Sequence, residues 1–176
     1  MFLAPLGACD SPDNEKSIDI PLPESAASSG CGDSGSLETE LFGSIETNIR
    51  WSGSNMNCEN MLRPNSKGIR LRFAGEVAGE TLAIIIALPT LQRATASSEL
   101  PSNVTATVEG SGRFFSTPNL DACWTDIESQ VADTANENIF VVTGTLYCVT
   151  PLGEVNGEAA VSIPELAFTT LIEWAK

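Results

Sequence analysis

The sequence predicts an all-β protein: an antiparallel β-sandwich of about eight strands stapled by disulfides, with a partly open β-barrel as the alternative. Three observations support this prediction. Apolar and polar residues alternate with a period of two in several segments, turn residues recur between these segments, and no segment has a long helical period. The length of 176 residues suits one domain with a single core.

The first predicted strand is Leu37–Trp51, where apolar and polar side chains alternate over the whole segment. A strand of this length is expected to bend or bulge, and Gly43 is the residue that would permit it. The polar segment Ser52–Gly68 is predicted to be a loop, and Ile69–Glu76 to be the next strand. We expect the two strands to pair in antiparallel fashion.

The outward-facing residues of these two strands carry mainly opposite charges. The first strand has Glu38, Glu40, Glu46 and Arg50, and the second has Arg70, Arg72 and Glu76. Antiparallel pairing would place both sets on the outer face, where each cross-strand ion pair is worth about 0.2–1 kcal/mol. The sequence therefore predicts a structural role for Arg70 and Arg72.

The later segments continue the pattern of strands and turns. Thr81–Leu88 is short, continuously apolar and rich in β-branched residues, which predicts a buried central strand. The remaining predictions, in order, are a connection at Leu91–Asn103, a hairpin of Val104–Glu109 and Arg113–Thr117, a strand or short helix at Cys123–Val131, a strand at Ile139–Val149, a turn at Asn156-Gly157, and strands at Ala159–Ile163 and Leu166–Trp174.

Charge and composition exclude several classes of function. The formal net charge is −14, with only nine Lys and Arg, so the chain lacks the basic surface that nucleic-acid binding requires. The chain contains no His, which excludes Ser-His-Asp and Cys-His catalysis and most zinc chemistry. The most apolar run, Leu82–Leu91, is too short to span a bilayer.

The first cysteine follows the short segment Leu6-Gly7-Ala8, and a stretch rich in Ser, Pro, Gly and acidic residues comes after it. Leu6-Gly7-Ala8-Cys9 resembles the lipobox of bacterial lipoproteins, in which small residues before the cysteine allow cleavage once the cysteine is lipidated. The resemblance implies a lipid on Cys9, a membrane anchor, and a location in the periplasm or on the cell surface. Only eight residues, none of them basic, precede Cys9, so a complete signal peptide would need a start upstream of Met1.

These features predict three regions: residues 1–9 as the remnant of a signal peptide, 10–36 as a flexible acidic linker, and 37–176 as a single β-sandwich domain. With Cys9 lipidated, four of the five cysteines remain, and they allow three pairings. We expect Cys123–Cys148, because both lie in strand-like segments, and Cys31–Cys58, which would pin the linker to the domain. Such bonds require an oxidising compartment.

Aromatic and acidic side chains provide the candidate binding residues. Trp124 is a candidate for stacking on a glycan, whereas Trp51 and Trp174 continue the apolar faces of their strands and are predicted to lie in the core. The candidate calcium ligands are Asp121, Asp126 and Glu128, with Asp133 and Glu137 as a second group.

These observations favour a non-catalytic binding or structural module of the bacterial cell envelope, anchored by lipid, with no cofactor unless calcium binds. The expected partners are the membrane, through the anchor, and an unidentified protein or glycan. Two alternatives stay open. One is a glycoside hydrolase that uses a pair of carboxylates, or a carbohydrate-binding module. The other is an extracellular structural subunit that assembles through sheet edges.

Overall fold

The computed structural model describes residues 28–63 and 68–174. Apart from one 3-10 turn at Gly53–Asn55, every regular element in these ranges is a strand. In chain order the strands are β1 (Ser28–Ser29), β2 (Ser36–Gly43), β3 (Thr47–Ser52), β4 (Met56–Leu62), β5 (Ile69–Val77), β6 (Glu80–Leu88), β7 (Ser97–Pro101), β8 (Asn103–Val108), β9 (Arg113–Ser116), β10 (Cys123–Ala132), β11 (Ile139–Cys148), β12 (Leu152–Glu154), β13 (Ala160–Ser162) and β14 (Glu165–Glu173).

All pairings are antiparallel, and the strands form two layers. Sheet A has the order β1-β4-β5-β6-β8-β9-β12-β13, and sheet B has the order β3-β2-β14-β11-β10-β7. Strand β2 joins the layers, because its first half pairs with β14 and its last residues pair with β13. The sheets do not close into a barrel. The predicted antiparallel sandwich is therefore confirmed, although the described residues contain more strands than expected.

The corner in β2 depends on Gly43. This residue has φ +99°, a conformation that side chains rarely adopt, and an added Cβ would lie 2.6 Å from the Ala160 carbonyl oxygen. The core fills the space between the layers, where the rings of Phe73 on β5 and Phe168 on β14 lie 5.6 Å apart. Strand β6 lies between β5 and β8 with its inward side chains buried, which confirms the predicted central strand.

The segment 37–51 is a hairpin rather than one bent strand. Strands β2 and β3 pair with each other, with Leu41 opposite Thr47 and Leu37 opposite Trp51. Residues that face each other in this hairpin have the same parity in the sequence, so the period of two continues through the turn. The alternation alone therefore could not distinguish a hairpin from a long strand.

Two predicted connections contain strands. The segment 52–68, predicted to be a loop, contains β4. This strand was not predicted because its inward positions include Cys58 and Asn60 and so lack the apolar pattern of a strand face. The segment 91–103 contains the short edge strand β7. The predicted hairpin of β8 and β9 and the predicted turn between β12 and β13 are confirmed.

The predicted pairing of 37–51 with 69–76 is wrong, because β5 pairs with β4 and β6. Arg72 forms ion pairs with Glu59 on β4 and with Glu109, which follows β8. Arg70 lies opposite Met61 and Ala87 instead of facing the acidic side chains of β2. The structural role is thus confirmed for Arg72 only, and with different partners.

Both predicted disulfides, Cys31–Cys58 and Cys123–Cys148, are present. Disulfides persist in oxidising environments, so the two bonds favour an exported chain. The folded unit begins upstream of the predicted boundary at residue 37, because β1 pairs with β4 and Cys31 is buried. Residues 10–27 of the predicted linker, and Cys9, lie outside the described residues. Within the described ranges, no helix has the length and hydropathy of a membrane span.

Candidate functional site

The three tryptophans occupy two kinds of environment. Trp51 and Trp174 are buried in the core, as predicted. Trp124 lies on β10 with part of its surface exposed, and it stacks on Tyr147 of β11. The two ring centroids are 6.0 Å apart, and the ring planes differ by 27°. We call these two residues the Trp124–Tyr147 pair.

The strand register explains why the two rings meet. Cys123 lies opposite Cys148 on β10 and β11, so the next residues, Trp124 and Tyr147, are also directly opposite. Side chains opposite each other on neighbouring strands are close enough to interact. On the other side of Trp124, Pro101 of β7 is its register partner. The disulfide therefore holds the two strands together one residue away from the Trp124–Tyr147 pair.

A buried hydrogen bond stabilises β10 on the face opposite to the Trp124–Tyr147 pair. The hydroxyl oxygens of Ser102 and Thr125 are 2.8 Å apart, and neither residue is exposed to solvent. The backbone N–H of Ser102 donates to the carbonyl oxygen of Cys123 at 3.0 Å. A satisfied buried polar pair of this kind fixes one arrangement of its neighbours. Strand β10, which carries Trp124, is thus fixed on the side that faces the core.

The phenol of Tyr147 is affected by its partly buried position and by two acidic residues, Asp126 and Glu99. Partial burial raises its pKa above the ordinary value of 10.0, and the charges of Asp126 and Glu99 act in the same direction. Negative charges raise the pKa because they disfavour the tyrosinate anion. A phenol is protonated at neutral pH even at the ordinary pKa of 10.0, so the Tyr147 hydroxyl can donate a hydrogen bond.

This electrostatic environment can be measured, because Tyr147 is the one tyrosine of the chain. In an alkaline titration followed by tyrosinate absorbance, we expect a midpoint above 10.0. Asp126→Asn removes a negative charge while keeping an oxygen that can accept the hydrogen bond from Glu99, and we expect it to lower the midpoint. High salt should also lower it by screening. A wild-type midpoint at or below 10.0 would contradict the described environment.

The candidate calcium ligands are not brought together. Asp121 lies in the exposed turn before β10. The Asp126 carboxylate accepts a hydrogen bond from the Glu99 N–H of β7 at 2.6 Å, whereas Glu128 accepts one from the Thr145 hydroxyl of β11 at 3.1 Å. Among the residues that the structure describes, no three acidic or other metal-binding side chains form a cluster.

The second candidate group, Asp133 and Glu137, lies in the turn between β10 and β11. The carboxylate of Asp133 accepts hydrogen bonds from the backbone N–H groups of Ala135 and Asn136, at 2.6 and 3.2 Å. The backbone carbonyl of Glu137 accepts a hydrogen bond from Arg93. The Asp133 carboxylate therefore stabilises the turn itself, as aspartates commonly do.

The β7 edge of sheet B is irregular. Glu99 has φ +53°, a left-handed conformation, and the register between β7 and β10 shifts between Thr125 and Ile127. The Glu99 N–H donates a hydrogen bond to the Asp126 carboxylate instead of to a backbone carbonyl. An edge strand of this kind does not offer a regular row of backbone groups to another strand. Assembly through this edge is therefore not favoured by its geometry.

The Trp124–Tyr147 pair and the start of the described chain lie towards opposite ends of β14. Tyr147 is the register partner of Glu165, at the first residue of β14. Ser28 pairs with Asn60, whose side chain donates to the carbonyl oxygen of Leu171 near the other end. The segment from Glu165 to Leu171 spans about 20 Å, at about 3.3 Å per residue. The chain upstream of Ser28 therefore joins the domain far from the ring pair.

Tyr147 was not among the residues that the sequence singled out. A signal was nevertheless present, because an antiparallel Cys123–Cys148 disulfide places the next residues, Trp124 and Tyr147, opposite each other. Comparison with known proteins adds no further candidates. No protein-family model matches this chain, and no curated protein or solved structure has significant similarity to it.

Proposed function

We propose that this protein is a non-catalytic binding module of the bacterial cell envelope, anchored by a lipid on Cys9, which binds glycans at the Trp124–Tyr147 pair. The observation that supports it best is the stacked, partly exposed ring pair held by the adjacent disulfide. Aromatic rings provide large contact areas at low cost in conformational entropy, because few torsions must be fixed.

The chemistry of the pair suits a sugar ring. A pyranose with equatorial hydroxyls has an apolar face of C–H groups, and this face packs on aromatic rings. The carboxylate of Asp126 and the protonated phenol of Tyr147 can accept and donate hydrogen bonds to sugar hydroxyls at the border of the rings. The ligand class is therefore a β-linked chain of glucose or N-acetylglucosamine units, in which such faces recur.

Three observations support the location. The Leu6-Gly7-Ala8-Cys9 segment resembles a lipobox, the two disulfides favour export, and the acidic composition keeps an exported domain soluble. The end of the domain that joins the linker lies away from the ring pair. A domain held by a lipid on Cys9 can therefore present its ring pair to the side facing away from the membrane.

The anchor is tested by mass spectrometry of the protein purified from its native host. We expect a mature N-terminus at Cys9 that carries acyl chains, and release of the protein from membranes after Cys9→Ala. An unmodified Cys9 thiol in the native protein would contradict the anchor and leave the glycan proposal to be judged separately.

The glycan proposal is tested by measuring the binding of chitohexaose and cellohexaose to immobilised and to soluble protein. Wild-type protein should bind at least one of them, and Trp124→Ala should weaken binding about tenfold or more, in line with about 0.5–1.5 kcal/mol from ring contact in addition to the buried area. Phe114→Ala is the matched control, because it removes an exposed ring from sheet A. Equal binding by wild type and Trp124→Ala would contradict the site. Release of shorter oligosaccharides would assign hydrolysis instead.

A further inference from the structure

A second surface, on the outer face of sheet A, has a different character. It is a groove of about 850 Å³ that crosses β4, β5, β6, β8 and β9. Met61, Ile85 and Ala87 form its apolar floor, and Thr105 and Ser116 contribute hydroxyl groups. The volume lies within the range of small-molecule sites, about 300–1,000 Å³. We call this surface the sheet A groove.

The sheet A groove is positively charged in a strongly acidic protein. The chain has 23 Asp and Glu and only nine Lys and Arg, yet the described residues that line the groove include Arg63 and Arg70 and no carboxylate. Within the described ranges, neither arginine forms an ion pair, whereas Arg72 and Arg113 are both paired with glutamates. Both unpaired arginines are exposed.

The apolar floor is also unusual for an outer face. On β6 the inward side chains Ile84 and Ile86 fill the core, and Ile85 between them points to the opposite side of the sheet, into the groove. Met61 of β4 is 43% exposed, which places a large flexible apolar side chain beside the arginines. On a sheet face that is exposed to solvent, such outward positions are normally occupied by polar residues.

We propose that the sheet A groove binds an anionic amphiphile, with its carboxylate or phosphate head at Arg63 and Arg70 and its acyl chain along Met61, Ile85 and Ala87. Guanidinium groups match the geometry of both head groups. This site is independent of the glycan proposal, because it lies on the other sheet and uses charge rather than ring stacking.

The test compares ligands that share one chain length and differ in the head group. Laurate, dodecyl phosphate and the neutral, sugar-free octaethylene glycol monododecyl ether are titrated calorimetrically into the full-length protein, below their micelle concentrations. We expect saturable binding of at least one anion, with the neutral ether at least tenfold weaker. The anion that binds more tightly identifies the head group as carboxylate or phosphate.

Variants then locate the site. Arg63→Gln together with Arg70→Gln should weaken binding of the anion at least tenfold, and Ile85→Asp should abolish it. Arg50→Gln is the control, because Arg50 is an exposed arginine on β3 of sheet B. The three arginines are exposed, so their substitution should leave the circular dichroism spectrum unchanged. The proposal would be overturned by equal binding of the neutral ether, by unchanged binding in the double arginine variant, or by absence of saturable binding to either anion.

Discussion

Replacing Cys123 and Cys148 together by alanine is expected to lower the free energy of unfolding by about 3.5 kcal/mol. The bond closes a loop between residues 25 positions apart, and its loss increases the conformational entropy of the unfolded chain. The Cys31–Cys58 bond spans 27 positions, so its double alanine variant should lose nearly the same amount. Urea denaturation under oxidising conditions measures both.

The two disulfides are expected to differ in their effect on the site. Cys123–Cys148 is next to the Trp124–Tyr147 pair in the register, whereas Cys31–Cys58 fastens β1 beside β4 in the other sheet. Loss of Cys123–Cys148 should therefore change the near-ultraviolet circular dichroism of the rings and weaken glycan binding. The Cys31–Cys58 variant is the matched control and should keep both. Identical effects of the two variants on the rings would contradict a local role of Cys123–Cys148.

Asn60→Leu is the second change with a large expected effect, about 2–4 kcal/mol. The Asn60 side chain is buried on β4, where it donates to the Leu171 carbonyl at 2.9 Å and accepts from the Glu173 N–H at 3.4 Å. Strand β14 pairs with β2 only as far as Thr169, which lies opposite Ser36. Beyond that point, the Asn60 side chain bonds to the Leu171 carbonyl and the Glu173 N–H of β14. Leucine fills a similar volume but removes the acceptor of the Glu173 N–H and leaves the Leu171 carbonyl with only the long 3.5 Å contact from the Thr170 hydroxyl.

Thermal and urea unfolding of Asn60→Leu measure this cost. Asn57→Ala is the control, because Asn57 is exposed on the same strand and should change stability by less than about 0.5 kcal/mol. If Asn60→Leu were as stable as the wild type, the side chain would not be holding β4 to β14, and the connection between the layers at this end would rest on apolar packing alone.

Local patterns in the sequence predicted much of the fold. The three consecutive isoleucines of β6, the Gly-Ser-Gly turn between β8 and β9, and Asn156-Gly157 between β12 and β13 each specify a structure through nearby residues. The disulfides followed from counting cysteines and from the strand-like surroundings of Cys123 and Cys148. These features depend on chemistry that is visible within short segments.

Other features depend on contacts between distant segments. The position of β5 between β4 and β6 could not be read from Arg70 and Arg72, because opposite charges are available on many strands of this chain. Strand β4 was missed because Asn60 occupies an inward position that only makes sense once the end of β14 lies beside it. Strand order in a sandwich is set by such non-local pairings, which a single sequence does not reveal.

The candidate site was likewise predicted only in part from the sequence. Trp124 was singled out because Trp51 and Trp174 continue the apolar faces of their own strands and were assigned to the core. Its partner Tyr147 required the register of β10 and β11. The carboxylates of Asp126 and Glu128 suggested calcium, but they bond to different strands, β7 and β11, and no cluster of three such ligands forms among the described residues.

Binding of a glycan at the Trp124–Tyr147 pair is tested most directly by nuclear magnetic resonance of the indole N–H groups. The chain has three tryptophans, of which Trp51 and Trp174 are buried, so each should give a separate signal. Titration with chitohexaose and with cellohexaose should shift the Trp124 signal along a saturable curve and leave the two buried indoles unchanged. If neither oligosaccharide shifts Trp124, or if the shifts occur only at Trp51 and Trp174, the ring pair is not a glycan-binding site.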